Sequence, residues 1–385
     1  MRRVAILLMT IAVAAALAAA ADRRAARPPS EIVRPAAEPG VLEARFAWAL
    51  GEAPKEARGP VFWIGYSIDR LMGEHSHIGS YCVGCRGRDL TVAEVLAGKR
   101  GPAAPGDADD DIRLAAKGAL DELDSRLKAE KKVLKELGFF FRYEADKAPI
   151  LTEARMTNLD VPFDFEAARL FWLGKATEGQ SLDLVKKLYG RSRSEELQKS
   201  LVAAAGCHGT PGLVVPFLAE VLGGDGSDDL RKDAAFWIGQ QSDADGLRLL
   251  VKTARADRSG EVREGAVFAI SQVDLPGAVD ELIALARSAE LRDVRKQAVF
   301  WLGQAASEKS GKALEEFARK DTDIEIQEQA VFALSQLPDN QGVEPLIKLA
   351  KTHPDPRVRK KAVFWLGECD DPRALETLIA IVKGK

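Results

Sequence analysis

The stretch EHSHIGSYCVGC, Glu74 to Cys85, gathers nitrogen and sulfur ligands within a chain of 385 residues. It holds two of the four histidines, His75 and His77, and two of the four cysteines, Cys82 and Cys85. Imidazole and thiolate are the donors of a tetrahedral zinc site, so these four residues are candidate ligands for a metal ion. In an oxidising compartment the same pair would instead close a Cys82–Cys85 disulfide. A redox-active pair needs thioredoxin-like surroundings, which the flanking sequence lacks. Haem attachment wants His directly after the second Cys, where Arg86 stands. A disulfide and a metal site stay open, and no organic cofactor is expected.

A second chemical pattern is spread along the chain rather than concentrated. Arg255, Arg287, Arg319, Lys351 and Lys383 recur at intervals of 32 residues. The same interval separates Phe236, Phe268, Phe300, Phe332 and Phe364, each inside a near-copy of AVFWLGQ. A fixed period of this size marks stacked supersecondary units. Two weaker copies lie upstream, LFWLGKA at Leu170 to Ala176 and VAAAGCH at Val202 to His208, so seven units cover about 165–385.

Each unit reads as helix, turn, helix. The first helix opens on an acidic or turn residue and is apolar on most sides in its later half, which implies neighbours on most sides. The second, as in GVEPLIKLAK, places Val343, Leu346, Ile347 and Ala350 at the spacing of one buried stripe. One such pair cannot bury its own apolar face, whereas a stack can, so the expected architecture is a solenoid. A longer period of 64 residues is superimposed, with Trp172, Trp237, Trp301 and Trp365 alternating with Ala204, Ala269 and Ala333. The expectation is core packing, with the indole of one layer over the small Ala of the next.

The pattern D-x-x-V-R-x-x-A-V-F-W-L-G, carried by Asp355 to Gly367 with Pro356 after the Asp, resembles the short HEAT-like repeats first associated with phycobilisome lyases. The resemblance implies a mainly α fold. About seven two-helix repeats would form an α-solenoid over 161–385, preceded by a small α+β N-terminal module over 41–160. It further implies a binding scaffold. Some such proteins are tetrapyrrole lyases, and others build a di-iron site from His-Glu pairs. No His-Glu dipeptide occurs in this chain, and its repeats hold only His208 and His353.

Stacking turns residues 32 apart into columns spaced about 10 Å per layer. Asp229, Glu261, Asp293, Glu325 and Arg357 form one column; Arg231, Arg263, Arg295, Gln327 and Arg359 form another. Carboxylates suit the start of a helix and arginines do not, so these arginines are expected to pair with acids. The basic column from Arg255 to Lys383 falls near the ends of the second helices. Cations favour that end of a helix for its own sake. The functional alternative is a basic stripe about 40 Å long that meets a protein partner with an acidic surface.

Residues 41–160 show no repeat. VLEARFAWAL reads as a helix, VFWIGYSI as a strand, and Thr91 and Glu94 have capping-box spacing. A long amphipathic helix is expected from Asp111 to Leu137, stopped by Gly138, and FFFRYE with PILTEARM reads as a hairpin. Cys207 and Cys369 are expected to be small buried hydrophobes.

Arg2 and Arg3 precede an apolar run that ends in small residues, the order of a signal peptide over 1–21. A flexible tether rich in Pro and Arg would follow over 22–40. These features predict a periplasmic or secreted protein with no membrane span after removal of the signal. The net charge of −3 gives no general attraction to nucleic acid. There is no Gly-rich phosphate loop, Ser/His/Asp set or repeated carboxylate pair. The expectation is therefore a scaffold rather than an enzyme, with a metal-binding or redox module at the His/Cys segment and a lyase-like enzyme as alternatives.

Overall fold

A computed structural model describes residues 26–35, 40–53, 60–74, 76–78, 89–99, 131–145, 148–305 and 307–383. The chain divides into two compact units between Phe217 and Leu218. The elements of the first are β1 (Ile32–Val33), α1 (Leu42–Glu52), β2 (Val61–Gly73), α2 (Val92–Leu96), β3 (Lys132–Glu144), β4 (Ile150–Asn158), β5 (Arg169–Lys175), α3 (Glu178–Arg191) and α4 (Glu195–Gly206). Helix α5 (Pro211–Gly223) follows.

The five strands make one sheet in the order β1-β5-β2-β3-β4, with β2, β3 and β4 antiparallel and β5 parallel to both β1 and β2. Both faces are apolar, as a covered sheet requires. On one face Trp63, Phe140, Leu170 and Trp172 pack with Phe163 and Phe165. On the other, Phe46 of α1 meets Phe141 edge-on, and Tyr66 stacks on Phe139 at 5.4 Å.

The helix at VLEARFAWAL, the strand at VFWIGYSI, the Thr91–Glu94 capping box and the β3–β4 hairpin all form as expected. Three expectations are corrected. Lys132 to Leu137 belongs to β3, not to a helix, because it pairs residue for residue with Ile68 to Gly73 of β2. Cross-strand pairing overrides a modest helical preference. Gly138 is a strand position, chosen because a Cβ there would come within 2.6 Å of the Phe140 ring.

LFWLGKA is likewise no repeat. Glu166 and Ala167 take left-handed backbone (φ 60° and 55°), which stops a helix before it begins, and Arg169 to Lys175 enters the sheet as β5. The stretch 26–35 is no free tether either. Its β1 pairs with β5, and the Arg27 guanidinium is ion-paired with Asp164.

In the second unit the chain alternates first and second helices in five pairs. These are α6 (Asp228–Gln240) and α7 (Ala244–Ala256), α8 (Gly260–Ser271) and α9 (Gly277–Ser288), α10 (Arg292–Ala305) and α11 (Glu308–Lys320), α12 (Ile324–Ser335) and α13 (Val343–Thr352), and α14 (Pro356–Gly367) and α15 (Pro372–Val382). Ser227, Asp243, Ser259, Asp323, Asp355 and Asp371 start their helices by accepting a backbone N–H, which satisfies one of the orphan donors of the first turn. Val343, Leu346, Ile347 and Ala350 are buried as one stripe. These five pairs are the helical repeats of the solenoid anticipated from the sequence. Among the described residues no helix is long and apolar enough to cross a membrane.

Candidate interaction surface

The aromatic residues of the repeated motif form a continuous row of rings along the first helices of the second unit. Trp237 meets Phe236 edge-on at 5.3 Å, and Phe236 stacks on Phe268 of the next layer at 6.0 Å. Phe268 contacts Trp301 at 4.8 Å, and Trp301 contacts Phe300 at 4.9 Å. Phe300 stacks on Phe332, Phe332 meets Trp365, and Trp365 meets Phe364. Seven of these eight rings are half-buried and Phe364 is exposed.

The expectation that the indoles are core residues lying over small alanines is therefore corrected for Trp237, Trp301 and Trp365, while Trp172 is a core residue as expected. Trp237 is half-buried against Phe236 of its own layer, and Trp301 and Trp365 are half-buried against phenylalanines of their own and the preceding layer. The alanines face glycines instead: a Cβ on Gly239 would stand 2.5 Å from the Ala269 carbonyl oxygen, and one on Gly303 would stand 3.0 Å from the Ala333 Cβ. Trp172 is not part of the row, since it lies in β5.

Charge beside the repeats is mostly committed. In the arginine column, Arg231 is ion-paired with Asp257, and Arg295 with Asp321 at 2.5 Å. The backbone carbonyl of the same aspartate takes the next layer's side chain, Arg263 on Asp257 and Gln327 on Asp321. The expected pairing with acids is present at Arg231 and Arg295, 64 residues apart, whereas Arg263 and Arg359 donate to backbone carbonyls instead. One layer on, Gln327 Oε1 and His353 Nε2 are buried without a hydrogen-bond partner.

Of the basic column, Arg287, Arg319, Lys351 and Lys383 are exposed and Arg255 is half-buried. Arg287 pairs with Glu316 at 2.8 Å, and Arg255 donates to Ser288 Oγ at 3.2 Å. Lys348 pairs with Glu315 at 3.3 Å beside Arg319. The column exists, but acidic neighbours interrupt its field.

In the first unit one buried polar chain escaped sequence reading. Tyr66 Oη and Ser181 Oγ are 2.8 Å apart, as are Ser181 Oγ and His208 Nε2. His208 Nδ1 lies 3.0 Å from both the Ala204 and Ala205 carbonyl oxygens. Carbonyls only accept, so Nδ1 carries the proton and Nε2 accepts from the Ser181 hydroxyl, which in turn accepts from Tyr66. Burial holds the His208 pKa below the usual imidazole value and pushes the Tyr66 phenol up. The serine–imidazole distance suits a nucleophile. However, Ser181 is 0% and His208 1% exposed, and the ring nitrogen that a carboxylate would orient faces carbonyls. The chain is a seal between β2, α3 and α4. No spacing rule joins Tyr66, Ser181 and His208, so the sequence carries no signal for it.

Of the candidate metal or disulfide residues, His75, Cys82 and Cys85 lie outside the described residues. His77 Nε2 is 3.4 Å from Asp160 Oδ2. No group of three or more potential metal ligands occurs among the described residues. Cys207 is buried, as expected, and its thiol pKa is pushed up to about 12 by desolvation. Cys369 is only half-buried, contrary to expectation, and its Sγ lies 3.1 Å from the Trp365 carbonyl oxygen.

No curated protein matches the sequence. Among solved structures, human deoxyhypusine hydroxylase in complex with glycerol is 20% identical over 53% of this chain and 87% of its own, with a TM-score of 0.24. The CpcE–CpcF complex of phycocyanin lyase from Nostoc is 21% identical over 39% of this chain and 96% of its own, with a TM-score of 0.30. The family described as HEAT repeats matches residues 215–303 and 311–385. The second unit, with its paired and capped helices in a 32-residue register, is accordingly a stack of HEAT repeats.

Proposed function

We propose that this protein is an exported scaffold that holds a protein partner along its HEAT repeats, with the aromatic row as the contact surface. One observation carries the reading: eight rings from five successive layers touch in sequence while remaining at least partly open to solvent. A half-buried Trp or Phe is rigid, offers a large apolar area and loses little entropy on binding, which is why such residues dominate interface energetics. A row of them suits an extended segment with apolar or proline side chains. The basic column on the second helices is the alternative surface, for an acidic partner. Export is supported by the basic, apolar and small-residue order of residues 1–21.

The test is crosslinked capture of partners from the exported fraction by wild type and two variants. Phe236→Ser with Phe300→Ser interrupts the row, and Arg287→Glu with Arg319→Glu and Lys351→Glu reverses the column. Loss of the partner in the first and retention in the second is expected. The reverse pattern transfers the role to the column, and retention in both removes the scaffold reading from these surfaces. A mature N-terminus at Ala21 or Asp22 tests export separately.

A further inference from the structure

Where one layer pairs Arg295 with Asp321, the next places Gln327 and His353, each 32 residues further along. The local frame is kept. Asp321 Oδ1 accepts the Asp323 N–H at 2.9 Å, and His353 Nδ1 accepts the Asp355 N–H at 3.2 Å, with the Asp355 carbonyl oxygen farther off at 3.4 Å. A backbone N–H only donates, so the neutral ring carries its proton on Nε2. Gln327 Nε2 donates to the Asp321 carbonyl oxygen at 2.6 Å, which leaves the acceptor Oε1 for another partner. The polarity of the pair is thereby inverted: an acceptor stands where Arg295 donates, and a donor where Asp321 accepts. Neither atom has a partner, although His353 is only 4% exposed. A buried donor and acceptor left unmet are costly, and together they describe the group that would meet them.

An open cleft of about 950 Å³ lies at this point, lined by both residues and by Arg292, Asp323, Asp355 and Arg357. Glutamine is shorter than the arginine that the other layers carry here, which makes the room. The charges of the cleft cancel locally, Arg292 with Asp323 and Glu325, Arg295 with Asp321, and Arg357 with Asp355. An ion finds no net field there and satisfies only one of the two buried groups. A neutral amide, donor and acceptor at once, satisfies both. We propose that this cleft is a peptide-binding subsite, in which Gln327 Oε1 accepts a backbone N–H and His353 Nε2 donates to a backbone carbonyl of an extended partner segment. An extended chain turns the N–H and C=O of one residue to the same side, the pair that two facing strands exchange. The inference rests on the reading above that a protein partner lies along the repeats. It adds the main-chain contact that aromatic rings do not supply.

NMR of the full chain with isotope-labelled histidine rings tests this, with acetyl-trialanine methylamide as the probe. The His353 Nε2 signal should shift saturably, with a dissociation constant in the millimolar range. Sodium acetate and guanidinium chloride at matched ionic strength should not reproduce the shift. Gln327→Arg restores the residue of the other layers, so it should keep the circular dichroism spectrum while peptide affinity falls at least about tenfold. Gln327→Met, close in length but without the acceptor, should lose affinity alike and decides the matter if the arginine disturbs the fold. No shift at His353, an equal shift with either ion, or full affinity in either folded variant would overturn the proposal. Phe236→Ser with Phe300→Ser should keep the shift, so failed partner capture by the aromatic row and failed peptide binding here are told apart.

Discussion

Gly239 lies against the backbone of Ala269 so closely that a methyl group added to it would stand 2.5 Å from the Ala269 carbonyl oxygen. Gly303 and Ala333 repeat the relationship one double layer later. The first helices of paired layers therefore approach through small residues, and the large Trp side chains are left half-buried. This explains the 64-residue alternation in packing terms.

Gly239→Ala should consequently destabilise the second unit by about 1–3 kcal/mol, the usual cost of overpacking against atoms that cannot move aside. Gly367→Ala is the control. Nothing lies within 4 Å of its added Cβ, and it too ends a first helix. It should be neutral or stabilising by up to about 1 kcal/mol through helix propensity. Urea midpoints at constant m-value separate the two outcomes, and equal effects would contradict the close approach.

The Tyr66–Ser181–His208 chain predicts a pH dependence with a definite sign. Burial depresses the folded-state pKa of His208, whereas the unfolded chain protonates this ring near the usual value of about 6.5. Above that value both states are neutral at His208 and it contributes no pH dependence. Below it the unfolded state binds more protons, so stability falls as pH drops toward the depressed folded value, by up to about 1.4 kcal/mol per pH unit. Unfolding measured between pH 7.5 and 5 (about one unit above to one and a half below the imidazole value) should show this slope in wild type. It should be reduced in His208→Gln. An unchanged slope would mean that other groups carry it.

The buried Arg295–Asp321 pair predicts a non-additive result. Asp321→Leu alone strands a largely buried guanidinium and should cost about 3 kcal/mol or more. The double variant with Arg295→Met removes both charges and should recover most of that loss. A double-mutant cycle reads the coupling directly. Equal costs for the single and double variants would show that Asp321 acts through its other hydrogen bonds instead.

The repeat was legible because a solenoid imposes its period on the sequence, and every layer from Phe236 to Phe364 restates it. The same periodicity misled at LFWLGKA, which has the apolar run of a first helix but follows two left-handed residues and pairs with β2. Local pattern cannot register a parallel partner a hundred residues away. Surface position was also illegible. Trp301 and Leu302 are adjacent in an apolar run, yet the leucine is fully buried and the indole only half-buried, a distinction set by which helix packs beside them. The 64-residue alternation was readable as a pattern, but its cause, small residues meeting small ones, required the geometry of Gly239 and Ala269.

The chemistry of the EHSHIGSYCVGC segment reduces to a thiol count. Cys207 and Cys369 are thiols. The remaining two, Cys82 and Cys85, are the pair in question. If they form a disulfide, denatured protein should titrate two thiols without reductant and four with it, and should hold no metal. If they ligate zinc with His75 and His77, denaturation in chelator should release one equivalent of zinc and expose four thiols at once. The native protein refines the test: Cys207, buried and with its pKa pushed up to about 12, should react slowly, and Cys369 faster. Four titratable thiols with no metal released would exclude both readings and leave the segment as a reduced dithiol.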